Sequence, residues 1–117
     1  MPGATDRQLE SLLALAPTVR YAAIYRDGDL ASREAPGLAN ASSSESDKYE
    51  EIIVNPTLLH LARQRSNIDC GGAKFVIIGY GNFTQTVVAV PGGHASVAFE
   101  LGSNPLDYLE RVNAIFA

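Results

Sequence analysis

A lone thiol, two imidazoles and a run of carboxylates are the groups in this chain with chemistry to offer: Cys70, His60, His94, and Glu45, Asp47, Glu50 and Glu51. A nucleophile–base pair could be drawn from Cys70 with either histidine. Asp69 stands next to Cys70, however, and an adjacent carboxylate raises a thiol pKa, the wrong direction for a reactive thiolate. Cys70 therefore reads as a small apolar residue at a strand entrance. His60 lies in the run Leu58-Leu59-His60-Leu61-Ala62 and reads as a helix-surface or interface residue. His94 follows Gly92-Gly93 and reads as exposed at a hairpin end, with no second His or Cys at metal spacing. The four carboxylates read as a solvated helix start that complements the helix dipole. Gly79-Tyr80-Gly81-Asn82-Phe83-Thr84 has a phosphate loop's glycines but lies between strands, so no helix N-terminus points at an anion. No active site, cofactor or metal is expected.

The elements that must position these groups are clearer. Ala73 to Tyr80 is apolar at nearly every position, the pattern of a strand buried on both faces. Gly81-Asn82 turns the chain into Phe83–Val90, rich in Thr and Val, and Pro91-Gly92-Gly93 turns it again. Ala95, Val97, Phe99 and Leu101 then alternate with His94, Ser96 and Glu100 as in a half-buried strand. Tyr80 and Phe83 would flank the first turn as an exposed aromatic tip.

Upstream, Thr5 and Gln8 have capping-box spacing, and Leu9, Leu12, Leu13 and Ala16 form one helical stripe that Pro17 ends. Val19–Arg26 and a polar edge strand, Leu30–Glu34, flank the hairpin turn Asp27-Gly28. Residues 35–46 read as a flexible loop. Asp47 would cap a middle helix carrying Tyr49, Ile52, Ile53, Leu58, Leu59, Leu61 and Ala62 at helical spacing. Pro56 interrupts it, so a kink, or two helices over 47–54 and 56–66, is expected. Asn104 caps a last helix with Pro105 at its first position, an Asp107–Arg111 pair, and a buried stripe of Leu109, Val112 and Phe116.

The 117 residues suit one domain, residues 1–117, of ordinary globular composition. A net charge of −4 without a basic cluster disfavours nucleic acid and anionic membrane as partners. One cysteine excludes an intrachain disulfide, and no segment reads as a signal peptide or a membrane span. The expected setting is cytoplasmic.

The order helix, two strands, helix, three strands, helix defines an α+β fold: a five-stranded antiparallel sheet with helices on both faces. Together with Cys70-Gly71-Gly72-Ala73-Lys74-Phe75-Val76-Ile77-Ile78 and Pro91-Gly92-Gly93-His94-Ala95-Ser96-Val97, that order resembles the roadblock/LC7 family. The resemblance implies terminal helices on one face, the middle helix on the other, and a homodimer. Its interface would be built from the strand at 73–80 and the middle helix, through Lys74, Val76, Ile78, Leu58 and Ala62. It also implies a non-catalytic adaptor that binds a protein partner, a small Ras-like GTPase, with no cofactor. That partner would meet Tyr49, Glu50, Ile53, Arg63 and Arg65, in an apolar groove rimmed by Glu51 and the two arginines. Two other classes stay open. A profilin- or PAS-like small-molecule sensor would need a polar-lined cavity between sheet and helix. An enzyme would need His, Cys and carboxylate within hydrogen-bond reach.

Overall fold

In the computed structural model, residues 3–35 and 44–117 are described. Helix α1 (Ala4–Leu13) leads into β1 (Val19–Arg26) and β2 (Asp29–Glu34). A middle helix follows in three segments: α2 (Ser44–Tyr49), a π-helical stretch (Glu50–Val54) and α3 (Asn55–Asp69). Strands β3 (Phe75–Gly79), β4 (Phe83–Val90) and β5 (Gly93–Glu100) come next, then a 3₁₀ turn (Pro105–Tyr108) and α4 (Leu109–Ile115). The five strands form one antiparallel sheet in the order β2-β1-β5-β4-β3. This is the α+β arrangement expected from the sequence.

Strand alternation divides the residues between two layers. Ala22, Ile24, Val88, Val90, Ala95, Val97 and Phe99 point to one face and pack with Leu9 and Leu12 of α1 and Val112 of α4. Phe99 stacks on Tyr108 with ring centroids 5.1 Å apart. The opposite face carries His94, Ser96 and Gln85 towards the middle helix. The apolar layer holds the molecule together, since hydrophobic burial contributes about 25 cal/mol per Å². The other layer holds the unusual chemistry.

Asp27 and Gly28 both adopt positive φ, 54° and 85°, the conformation a two-residue hairpin turn requires. Gly93 has a different reason. A Cβ there would lie 1.9 Å from the Tyr25 carbonyl oxygen, so only glycine allows β5 to approach β1 directly before His94. At the other end, the Asn104 side chain accepts from the Leu106 amide as the expected cap.

The regular helix is interrupted just before Pro56, as expected, and Pro56 falls in the first turn of α3, but the interruption is a π-helical stretch and not a break in the chain's helical course. The missing N–H and the clash with the carbonyl four residues back are absorbed by the π turn just before it, where the Asn55 amide donates to Glu50 O. The extra residue in that turn rotates Glu51 and Asn55 inward with Leu59. The helix also starts earlier than expected: Ser44 opens it, and Asp47 lies inside it instead of capping it. Residues 36–43, which hold most of the expected 35–46 loop and the Asn40-Ala41-Ser42 triplet, lie outside the described residues.

Other local expectations are corrected. Thr5 and Gln8 do not cap α1, whose N-cap is Gly3; both accept instead from Arg26 Nη2 at 2.8 Å, tying α1 to β1. Arg111 sits over the Tyr108 ring at 4.8 Å, a cation–π contact in place of the expected Asp107 pair. Strand β3 is not buried on both faces. Among the described residues it is a sheet edge, bonded to β4 alone, with Phe75 exposed and Val76, Ile77 and Ile78 half-buried.

Candidate functional site

Glu51 is completely buried beneath the middle helix, at 0% exposure, and its carboxylate is the hub of the polar layer. Oε1 lies 2.8 Å from His94 Nε2 and accepts from Asn55 Nδ2 at 3.0 Å. Oε2 accepts from Ser96 Oγ at 2.7 Å and Gln85 Nε2 at 3.4 Å. Four donors from one helix and two strands thus replace the water this carboxylate would otherwise hold. His94, only 2% exposed, is wedged against Tyr25 in an edge-on contact with centroids 5.8 Å apart.

This constellation holds a His, a Ser and a carboxylate, yet the connectivity is not that of an acyl-transfer triad. Ser96 donates to Glu51 and not to His94, so the imidazole is not placed to take the hydroxyl proton. The hub is closed to solvent, and buried, fully bonded polar groups of this kind fix register between elements.

A cavity of about 300 Å³ opens beside the hub. It is bounded by Asp47 and Glu50 from the middle helix, Arg20 and Tyr21 from β1, Glu34 from β2, and Tyr80, Asn82 and Phe83 at the β3–β4 turn. Tyr80 donates its hydroxyl to both Glu50 oxygens at 3.0 Å. Burial pushes the Glu50 carboxyl above its usual range; the Tyr80 bond pulls it partly back, and the Glu51 charge adds to the rise. The Tyr80 phenol is pushed up to about 12, by burial first and then by its bond to Glu50. Burial, with the Glu51 and Asp47 charges, raises Tyr21 further still. The Tyr21 hydroxyl oxygen is shielded from water and makes no hydrogen bond of good geometry, although Ser32 and Glu51 are close enough to influence it. Arg20 spans the far wall, donating to Asn82 O at 3.0 Å with its guanidinium 5.6 Å from the Phe83 ring centre.

The sequence readings fare unevenly here. His94 is not exposed at a hairpin end: β5 carries it under the middle helix, where Glu51 supplies the partner a local reading could not see. Glu51 is neither part of a solvated helix start nor on a groove rim, because the π turn points it into the sheet. Cys70 is exposed, not a packed strand-entrance residue; its thiol donates to Asp69 at 3.3 Å, and that bond raises its pKa in the expected direction. Tyr80 and Phe83 do meet, at 5.0 Å between centroids, but they form a wall of the cavity and not a free tip.

His60 is exposed and shares with His94 a second, more open cleft of about 430 Å³. Of the residues expected at the interface, Lys74 is exposed, while Leu58, Ala62, Val76 and Ile78 are half-buried. Tyr49, Ile53, Arg63 and Arg65 are exposed, and Glu50 is half-buried in the cavity wall. Arg65 pairs with Asp69 at 2.6 Å. The hub's residues went unrecognised because its parts are far apart in sequence. Two signals point to it: Glu51 and Asn55 fall four apart on the Leu59 face, and His94 and Ser96 share one face of β5.

No protein-family profile matches the chain, and no curated protein matches it by sequence. Solved structures do. A roadblock/LC7 domain from Streptomyces avermitilis superposes with a TM-score of 0.73 at 12% identity, over 95% of this chain and 90% of that one. A structure described as MglB with tetrameric arrangement gives 0.67 at 16% identity, over 99% and 92%. MglC from Myxococcus xanthus gives 0.63 at 12% identity, over 97% and 93%.

Proposed function

Starting from a roadblock/LC7 fold, we propose that this chain is a non-catalytic, cytoplasmic adaptor that forms a homodimer and binds a protein partner, a small Ras-like GTPase. The observation that carries this reading is the inverted polarity of the middle helix. Its buried side holds Glu51, Asn55 and Ser66, with Leu59 the one buried apolar residue, while Tyr49, Ile53 and Leu61 are 63%, 49% and 58% exposed. A helix that turns apolar side chains outward is marked for a protein contact. Phe75 on the open edge β3, 41% exposed, continues the apolar character onto the sheet. An unpaired apolar edge invites another strand, and self-pairing about a two-fold axis closes it.

In this arrangement β3 and the half-buried Leu58 and Ala62 meet a second copy through Lys74, Val76 and Ile78. The outer helix residues Tyr49 and Ile53, with Glu50, Arg63 and Arg65, receive the partner. Arginine and aromatic side chains commonly anchor such surfaces. The absence of catalysis is supported by the closed, differently connected hub and by the raised thiol pKa of Cys70. The exposed single thiol suits a reducing compartment.

Light scattering at micromolar concentration tests the dimer, with twice the chain mass expected. A concentration-independent monomer overturns it. Reversing Arg63 and Arg65 to Glu is expected to abolish capture of the partner while the dimer persists. Capture of the same partners by the reversed variant places the surface elsewhere.

A further inference from the structure

The second cleft, of about 430 Å³, lies where the middle helix meets the β1–β2 and β4–β5 hairpins. His60 and Arg63 line its helix side and His94 and Tyr25 its sheet side. The chain carries a net charge of −4, yet the ionisable groups here are two imidazoles, a guanidinium and a phenol. The carboxylate next to it, Asp27 beside Gly92, is exposed to solvent and is not part of the lining. Arg63 stands apart from the other arginines. Arg26 bonds Thr5 and Gln8, Arg33 pairs with Asp6 and Glu10, and Arg65 pairs with Asp69. Arg20 bonds Asn82, Arg111 covers the Tyr108 ring, and Arg7 is engaged as well. Among the described residues the Arg63 guanidinium has no such partner, and its fork of N–H donors matches a carboxylate or a phosphate. His94 is a second and independent sign. It is 2% exposed, and Nε2 is held by Glu51, which leaves Nδ1 without a hydrogen bond among the described residues. A ring nitrogen so deeply placed calls for a partner, and Nδ1 serves an oxyanion when the ring is charged or an acid's O–H when it is neutral.

We propose that this cleft binds a small organic oxyanion, a carboxylate or phosphate monoester carried on a compact apolar body. Arg63 and His60 take the anion, and the body lies against Ile52, Pro56 and Leu59. Ile52 is 42% exposed, so covering it adds apolar burial that a bare anion cannot supply. Gly28 leaves open space where a Cβ would stand and keeps the rim clear for entry. The volume lies within the range of small-molecule sites and exceeds what one carboxylate side chain fills, which favours a free molecule over an Asp or Glu of a protein. The site is complete within one chain and does not rest on the dimer or on the protein partner.

Amide NMR titration of the intact protein tests this with benzoate and phenyl phosphate, with benzyl alcohol as the neutral counterpart and inorganic phosphate as the bare anion. Saturable shifts are expected around Gly28, His60 and Gly92 with an aryl anion and not with the alcohol, and the tighter of the two aryl anions assigns carboxylate or phosphate. Arg63→Gln is expected to weaken that binding at least about tenfold, which is about 1.4 kcal/mol. His60→Gln is expected to weaken it at least about threefold. Lys48→Gln removes the same charge from an exposed position of the middle helix outside the cleft and is expected to leave affinity unchanged. Each variant is checked for an unchanged amide pattern elsewhere. Absence of saturable shifts with both aryl anions, equal shifts with benzyl alcohol, undiminished binding by Arg63→Gln, or an equal loss in Lys48→Gln overturns the proposal. Inorganic phosphate binding as tightly as phenyl phosphate overturns the apolar body. Light scattering on the same samples reads the dimer separately, so failure of one reading does not carry the other with it.

Discussion

His94 Nε2 stands 2.8 Å from Glu51 Oε1, and with both side chains buried this one contact locks the π turn of the middle helix to β5. The pair is an ion pair whenever the imidazole carries its second proton. Either way it fixes which helix face meets the sheet, and so which face is left for partners. Ser96 and Gln85 on the sheet and Asn55 on the helix hold the other lone pairs of the same carboxylate.

Truncating the hub is expected to be costly. Glu51→Ala strands four polar side chains away from water, and removal of one partner from a buried charged network costs about 3–5 kcal/mol. Urea unfolding followed by circular dichroism measures this. A loss under about 1 kcal/mol would mean that the helix is held by its apolar contacts alone.

Thr86 offers the opposite change. It is buried on the apolar face, where its hydroxyl has no hydrogen-bond partner, and Val has nearly the same shape. Thr86→Val is expected to stabilise the protein by about 1 kcal/mol, the cost of an unmet buried hydroxyl. An unchanged or lower denaturation midpoint would show that the hydroxyl is satisfied in solution.

Glu50 sets an acid-range dependence. Its folded pKa is raised above the ordinary carboxylate value, so the folded state holds the proton more tightly than the unfolded chain. Stability is therefore highest below the unfolded pKa and falls as pH rises through the folded one. Relative to Glu50→Gln, the native protein is expected to lose denaturation midpoint as pH rises above the ordinary carboxylate value of about 4. A difference that is flat as pH rises, or of opposite sign, refutes the assignment.

Tyr80 sets an alkaline one. Its phenol is expected to titrate at about 12, visible as a late ultraviolet transition that Tyr80→Phe removes. Because the folded pKa lies above the unfolded value of about 10, its contribution is complete below about pH 10 and is lost as pH climbs towards 12. A Tyr80 transition near 10 would mean that the hydroxyl does not reach Glu50.

The element order was legible in the sequence because its signals are local. The strand at Ala95 to Phe99, the Asp27-Gly28 turn, the Leu9–Leu12–Leu13 stripe and the Asn104 cap each reside within a few residues, and the structure realises them, although β5 is buried on both faces instead of one and Leu101 lies exposed beyond its end. The resemblance then supplied the layering, with the terminal helices together and the middle helix opposite. What the tertiary structure alone decided is the polar layer. Pro56 announces a disturbance in the helix but not that the chain will answer it with a π turn, and that turn alone points Glu51 inward. Residues 51, 85, 94 and 96 come together only when β4 and β5 pair beneath that helix. Burial, and with it the meaning of a carboxylate or a histidine, is a property of the packed sheet and helix, and no local spacing encodes it.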